Sequence, residues 1–197
     1  MTDAAPLPVE ARAVLDFWFG TQRTHLGSPR MEWFRKEPKF DEEIRVRFGN
    51  LHASASRGGV DAWSASAEPL LALVVILDQF SRNLYRNDAR AFAQDEKARG
   101  LAQLAVARRD DLALLPVQRQ FLYLPFEHSE DLADQERCVE LMRSLEAFEP
   151  TRGLTEWAVK HRDIVARFGR FPHRNAALGR ASTPEEVEFL KQPGSGF

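Results

Sequence analysis

The chain has 197 residues, of which 44% are hydrophobic, and its 27 Lys and Arg against 29 Asp and Glu give a formal net charge of −2. This balance is typical of a soluble globular protein, and the length fits one domain over residues 1–197. We do not expect nucleic acid to be a partner, because phosphate binding needs a clear excess of basic residues. The longest purely apolar run, Leu70 to Leu77, is too short for a membrane span, and with a single Cys138 and no signal pattern the predicted location is the cytoplasm.

The amino-acid composition predicts an all-α fold. Ala and Leu, which favour helices, total 47 residues, whereas the β-branched residues Val, Ile and Thr, which favour strands, total 21. Only three residues of the chain are Ile. About eight helices joined by short loops predict antiparallel helix pairs that stack on one another.

Helical periodicity and helix-stop residues divide the first half of the chain. The longest apolar run falls within the third helix, which we therefore expect at the centre of the core. The predicted elements are a helix from Pro8 to Phe19, a loop over 20–38, a helix from about Phe40 to Gly58, a helix from an N-cap at Ser66 to about Tyr85, and a helix of about twenty residues capped by Asn87 or Asp88.

The second half contains two prolines with a defined meaning. Pro116 starts a helix, and Pro125 must end or kink it because proline lacks the backbone N–H. The elements that follow are helices over about 131–148 and 151–168, a short helix over 173–179, a helix over 184–191 with a capping box from Thr183 to Glu186, and a loosely held tail over 193–197.

The first polar segment, residues 78–83, follows directly on the most apolar helix. Asp78 and Arg82 are i, i+4 neighbours, as are Gln79 and Asn83, so the helix presents two adjacent polar ridges. One interpretation is structural, with Asp78 paired to Arg82 and Gln79 bonded to a nearby backbone group. The other is that these four side chains bind a ligand.

The second polar segment, residues 121–131, is an aromatic run that becomes acidic around a proline. Carboxylates in the first turn of the next helix favour its dipole, which explains Glu130 and Asp131 without a function. Glu127 and His128 lie in the break itself, beside aromatic residues, where the pKa of a carboxyl group can rise and a histidine can carry protons near neutral pH. These two residues are the predicted catalytic acid or base.

The third polar segment, residues 161–175, holds four Arg and one Asp and therefore has the opposite charge to the second. His161 faces inward, either as a core histidine satisfied by a hydrogen bond or as a ligand contact. Asp163 and Arg167 are expected to form an i, i+4 salt bridge. Basic side chains at a helix start suit an anion. The predicted ligand-binding residues of this segment are His161, Arg170, His173, Arg174 and Asn175.

Common cofactor and metal motifs are absent from the sequence, and no cofactor is predicted. The chain has no GxGxxG, P-loop, GxSxG or HExxH pattern. No metal site is predicted either, because Glu127, His128, His161 and His173 show no typical ligand spacing. Cys138 is expected to be a buried, inert thiol.

Several sequence motifs occur in an order that resembles a bacterial family known as domain of unknown function 924. They are VLDFWFG (14–20), LDQFSRNLYR (77–86), LPFEHSEDLADQE (124–136), HRDIVARFGRFPHRN (161–175), LGR (178–180) and TPEE (183–186). The resemblance implies a tetratricopeptide-like right-handed superhelical array of helix pairs, and it implies no activity, substrate or cofactor. Ser81 stands where the family's motif usually has Pro, which affects none of the proposed polar contacts.

The three polar segments are predicted to converge, because the second and third have opposite charges and both contain interleaved aromatic residues, and the polar end of the third helix can then close the pocket. One side chain from each of the pairs Asp78/Arg82, Glu127/His128 and His173/Arg174 should line a common cleft.

Two functions are compatible with such a cleft. The first is a binding scaffold that takes a peptide or a small anionic ligand through Arg82, Arg170 and Arg174. The alternative is an enzyme of unknown substrate that uses Glu127 or His128 as general acid or base and the arginines to stabilise charge. A deep pocket that encloses a Glu–His contact would favour the enzyme, and a wide groove would favour the scaffold.

Overall fold

The computed structural model describes residues 6–21 and 26–196, and within these ranges all regular secondary structure is helical. The fold class is therefore all-α, as the composition predicts. The α-helices are α1 (Val9–Phe19), α2 (Pro38–Ser56), α3 (Ala67–Val74), α4 (Ser81–Leu84), α5 (Asp95–Arg108), α6 (Pro116–Glu127), α7 (Leu132–Arg143), α8 (Leu154–Phe168) and α9 (Pro184–Leu190). A π-helical segment, Val75–Phe80, joins α3 to α4.

In the second half of the chain, helices that follow one another pack together: α5 packs on α6, α6 on α7, and α7 on α8. The helix α3 contacts α1, α5 and α6 and lies at the centre, while α2 covers the π-helical segment and α4. Among the described helices, none combines the length and the apolarity that crossing a bilayer requires. The superhelical arrangement of the helix pairs remains a prediction.

The central helix is buried all round, as its sequence predicts. All eight residues from Leu70 to Leu77 have no exposed surface. The π-helical segment begins within this run and includes Asp78 and Gln79, which are also buried. Local π-helical geometry frequently marks functional positions, and here the segment contains a buried carboxylate.

Several helix ends follow the predicted local rules. Gly20 and Gly169 adopt positive φ angles of 79° and 68° at the ends of α1 and α8, a conformation that favours glycine. Thr183 and Glu186 form the predicted capping box, in which each side chain accepts a hydrogen bond from the other residue's backbone N–H. Pro125 lies inside α6, which continues for two residues beyond it.

Two predicted helices are shorter than expected. The predicted helix of about twenty residues is instead a 3₁₀ turn, Ala89–Ala91, capped by the Asp88 side chain, followed by the 14-residue α5. The predicted helix over 131–148 ends at Arg143, because the chain then turns into another 3₁₀ turn, Glu149–Thr151.

Three smaller details also differ from prediction. Ser66 occupies the N-cap of α3 without a capping hydrogen bond from its side chain. The expected short helix over 173–179 is a 3₁₀ turn, Pro172–Arg174, followed by turns. In the predicted loose tail, Ser195 is buried and its hydroxyl donates to the carbonyl of Leu190 at 3.1 Å. Residue 197 of this tail and residues 22–25 of the predicted loop lie outside the described ranges.

Candidate functional site

The carboxylate of Asp78 lies at the centre of a buried polar cluster. Its Oδ1 accepts a hydrogen bond from Nδ1 of His128 at 2.7 Å and lies 3.1 Å from Nη1 of Arg82. Its Oδ2 accepts a hydrogen bond from Nε2 of Gln79 at 2.6 Å. Burial alone would raise the pKa of Asp78, but Arg82, His128 and Gln79 together hold it below its ordinary value. Asp78 is therefore ionised at neutral pH.

The ionised state of Asp78 fixes the tautomer of His128. Burial and the charge of Arg82 lower the pKa of His128, and this outweighs the opposing effect of Asp78. The neutral ring carries its proton on Nδ1, because an ionised carboxylate can only accept a hydrogen bond. Nε2 is therefore a hydrogen-bond acceptor, and none of the described residues donates to it. The side chain of His128 is 15% exposed.

Two arginines share one carboxylate beside Asp78. Asp95, the first residue of α5, accepts hydrogen bonds from Nη1 and Nη2 of Arg82 at 3.0 and 3.1 Å, and from Nη1 of Arg174 at 3.3 Å. The guanidinium of Arg174 also packs over the rings of Phe92 and Phe171, at 4.7 and 4.5 Å from their centres. Stacking occupies the faces of a guanidinium and leaves its N–H groups available for hydrogen bonds.

Arg174 has fewer acceptors than its buried charge requires. The residue is 6% exposed, and its Nε is enclosed without a hydrogen-bond partner among the described residues. Burial and the nearby charge of Arg82 lower the pKa of Arg174 to about 10, so the guanidinium remains charged at neutral pH. A buried charge with an unsatisfied donor costs free energy unless a further anion contacts it.

Glu127 is buried, and its carboxyl group lies beside Cys138 and His161. One of its carboxyl oxygens lies 3.8 Å from Sγ of Cys138, and the other lies 3.6 Å from Nδ1 of His161. Burial and the charge of Asp78 raise the pKa of Glu127 to about 8. The group is therefore mostly a neutral acid at pH 7. Cys138 is fully buried, as predicted, and burial raises the pKa of its thiol.

Two further histidines stay neutral near this cluster. Burial lowers the pKa of His161 to about 3 and, together with Arg174, that of His173 to about 4. The Nδ1 of His161 donates to the carbonyl of Trp157 at 2.9 Å. Both rings pack against Phe171, which brings the third polar segment onto the other two.

The third polar segment is held in place by an ion pair between Glu130 and Arg180, which the sequence did not predict. Glu130 accepts hydrogen bonds from both terminal nitrogens of Arg180, at 2.7 and 2.9 Å, and from the backbone N–H of Phe171 at 2.8 Å. Gln135 fixes the preceding turn, because its Nε2 donates to the carbonyls of Glu127 and Ser129.

Three predicted ligand-binding residues lie outside the cluster. Asn83 donates to Asp41, which also pairs with Arg86. Arg170 and Asn175 both bond to Glu186 and so attach α9 to the preceding turn. These contacts are structural, and they do not bring the three side chains to the cluster around Asp78.

The expected salt bridge within α8 is not formed. Asp163 pairs with its neighbour Arg162, while Arg167 reaches Glu185 in α9 at 2.9 Å. The prediction from i, i+4 spacing is therefore wrong, because α9 supplies a closer acceptor.

The contacts join all three polar segments. Asp78 from the first bonds to His128 from the second, and Arg82 shares Asp95 with Arg174 from the third. Two surface depressions of about 460 and 440 Å³ lie elsewhere, both lined by Arg30 and Glu32, and neither is lined by a predicted site residue. Within the described ranges, no three His, Cys, Asp or Glu side chains are grouped as metal ligands would be.

Comparisons with known proteins identify the family. The sequence model of a family described as "Bacterial protein of unknown function (DUF924)" matches residues 14–194. The chain belongs to this family. A solved structure, that of the protein of unknown function ATU0120 from Agrobacterium tumefaciens, is similar over 92% of this chain and 96% of that one, with 42% identity and a TM-score of 0.82. A search of curated proteins finds no match.

Proposed function

We propose that the protein of this DUF924 family binds a small anion at the cluster formed by Arg82, Asp95, His128 and Arg174. The observation that carries the proposal is the buried guanidinium of Arg174, whose enclosed Nε has no acceptor among the described residues. An added oxyanion would satisfy this donor with a charge-assisted hydrogen bond. A small anion is favoured over a peptide because Arg174 is too enclosed for an extended chain to reach it.

The neutral histidines support the same assignment. Because burial lowers the pKa values of His161 and His173, these rings add hydrogen-bonding groups near the arginines without adding positive charge. Asp95 serves both guanidinium groups, and Arg82 also pairs with Asp78, whereas the Nε of Arg174 has no acceptor among the described residues. This unmatched donor is the feature that a bound anion would complete.

Ligand-dependent unfolding tests the proposal. Inorganic phosphate, sulfate and acetate are titrated separately at constant ionic strength, and the melting temperature and the Kd by calorimetry are measured. At least one anion should raise the melting temperature by mass action. Arg174→Gln should weaken that binding on the order of tenfold or more, as expected for loss of charge-assisted hydrogen bonds.

The matched control is Arg162→Gln, which removes an arginine whose partner is the exposed Asp163. This variant should bind the anion as the wild type does. If none of the three anions binds, or if both variants lose binding equally, the proposal is wrong.

An enzyme is the second candidate, and the contact between Asp78 and His128 favours it. A carboxylate that fixes the imidazole tautomer leaves Nε2 ready to accept a proton from an attacking water. The test is release of nitrophenolate from p-nitrophenyl phosphate, in which water adds to phosphorus as the P–O bond to nitrophenolate breaks. Release that His128→Asn abolishes would support the enzyme, and no release above the buffer rate would count against it.

A further inference from the structure

We infer that the site selects an oxyanion that carries a proton of its own, a phosphate group with an O–H, and rejects fully deprotonated oxyanions such as sulfate. The inference rests on the proposed anion-binding function and specifies its ligand class. It follows from the hydrogen-bonding character of His128 rather than from the arginines, which attract any anion.

The tautomer of His128 provides the selective group. Nδ1 must donate to Asp78, because the buried carboxylate of Asp78 is paired with Arg82, accepts a hydrogen bond from Gln79 and has no proton to give. The unprotonated Nε2 therefore presents a lone pair. None of the described residues donates to this atom, so a ligand or solvent must do so.

The ring of His128 lies beside the proposed anion site. Its Nδ1 and Nη1 of Arg82 contact the same oxygen of Asp78, at 2.7 and 3.1 Å, and Arg82 shares Asp95 with Arg174. An oxyanion held by Arg82 and Arg174 would thus have an acceptor in its vicinity as well as donors.

An acceptor discriminates between oxyanions by their protonation. Inorganic phosphate retains at least one O–H at neutral pH and can donate it to Nε2, while its other oxygens accept from the arginines. Sulfate has only lone pairs and would place one of them against Nε2. A ligand that lacks the group matching a buried polar atom leaves that atom unpaired, and it therefore binds less tightly. This unfavourable contact gives the site its specificity.

Calorimetric titration of the full-length protein with inorganic phosphate and with sulfate, at pH 7.5 and constant ionic strength, tests the inference. The wild type should bind phosphate on the order of tenfold or more tightly than sulfate, as expected when a buried acceptor is left unmatched. His128→Asn keeps an amide N–H that can donate to Asp78 but has no acceptor at the position of Nε2. In this variant the ratio of the two Kd values should approach one.

A control histidine separates selectivity from stability. His52 is buried and its Nε2 lies 2.8 Å from the hydroxyl of Ser81, outside the cluster. His52→Asn should leave the ratio of the two Kd values unchanged, since each ratio is measured on folded protein verified by circular dichroism. If His128→Asn does not fold, His128→Ala takes its place, because alanine has no acceptor at the position of Nε2.

The outcomes separate this inference from the proposed function. Equal binding of phosphate and sulfate by the wild type overturns the selectivity and leaves the anion site intact. Preserved selectivity in the His128 variant also overturns it, because the acceptor would then lie elsewhere. If the wild type binds neither phosphate nor sulfate, the selectivity is overturned. The proposed anion site is then tested by acetate alone.

Discussion

Asp78 and His128, which are 50 positions apart in the chain, meet through a 2.7 Å hydrogen bond in the protein interior. The bond joins the π-helical segment to the end of α6 and determines which imidazole nitrogen carries the proton. Because the carboxylate of Asp78 is fully buried, its charge is stabilised by the ion pair with Arg82 and by the hydrogen bonds from His128 and Gln79. Removing one of these partners should therefore affect stability strongly.

Arg82→Ala should lower the free energy of unfolding by about 3–5 kcal/mol, because it leaves the charge of Asp78 buried without its ion-pair partner. Urea denaturation at pH 7 measures the loss. Adding Asp78→Asn to the Arg82 variant should recover part of it, because the stranded charge is then removed. A surface control, Arg162→Ala, should cost less than about 1 kcal/mol. A loss of similar size in both single variants would contradict this account of Asp78.

Arg180→Gln should both destabilise the protein and weaken anion binding. Its guanidinium holds Glu130, which in turn accepts the backbone N–H of Phe171, the ring on which Arg174 stacks. Loss of this charged hydrogen-bonding pair should cost about 1–3 kcal/mol. Urea denaturation and phosphate titration of the same variant give both readouts.

The matched comparison for Arg180 is Arg167→Gln, since Arg167 pairs with Glu185 at the surface. This variant should change stability by less than about 1 kcal/mol and leave the Kd for phosphate unaltered. If Arg180→Gln destabilised the protein but left the Kd unaltered as well, Glu130 and Arg180 would be structural without positioning Arg174.

Thr183→Ala should cost about 1 kcal/mol by removing the hydroxyl that accepts from the backbone N–H of Glu186. Thr183→Ser keeps this oxygen and should retain most of the stability. Thermal unfolding of the three proteins checks the order. Equal stability of the Ala and Ser variants would show that the capping hydrogen bond contributes nothing.

The sequence was most informative where a local rule determines the structure. The eight-residue apolar run could only be buried, and the Thr-Pro-Glu-Glu pattern satisfies backbone groups within its own turn. The approach of the three polar segments was also predictable, because buried groups of opposite charge need partners. The burial and capping rules involve few residues and do not depend on the rest of the fold.

Other parts of the cluster could not be found in this way. Asp95 lies in the first turn of α5, where the helix dipole already explains a carboxylate, so its role between Arg82 and Arg174 had no distinct signal. Arg180 follows the third segment and pairs with Glu130, 50 residues earlier. The π-helical turn, which contains Asp78, leaves no mark in the hydrophobic periodicity.

Glu127 provides a test through pH. The carboxyl group titrates near 4.5 in an unfolded chain, whereas burial and the charge of Asp78 raise its pKa to about 8 in the folded protein. The folded state therefore holds the proton more tightly. The stabilising effect is complete below pH 4.5 and is lost as the pH rises through about 8.

Glu127→Gln should remove this dependence, because the amide has nearly the shape of the neutral acid and does not titrate. The wild type should lose stability relative to the variant between about pH 4.5 and pH 8, by up to about 1.4 kcal/mol for each pH unit. The histidines act in the opposite sense, since the lowered pKa values of His161 and His173 cost stability as the pH falls below 6.5. Both proteins contain them, so their effect cancels in the difference. Urea unfolding of both proteins at pH 5, 6, 7 and 8 gives this difference directly, and parallel profiles would mean that Glu127 is already ionised in the folded state.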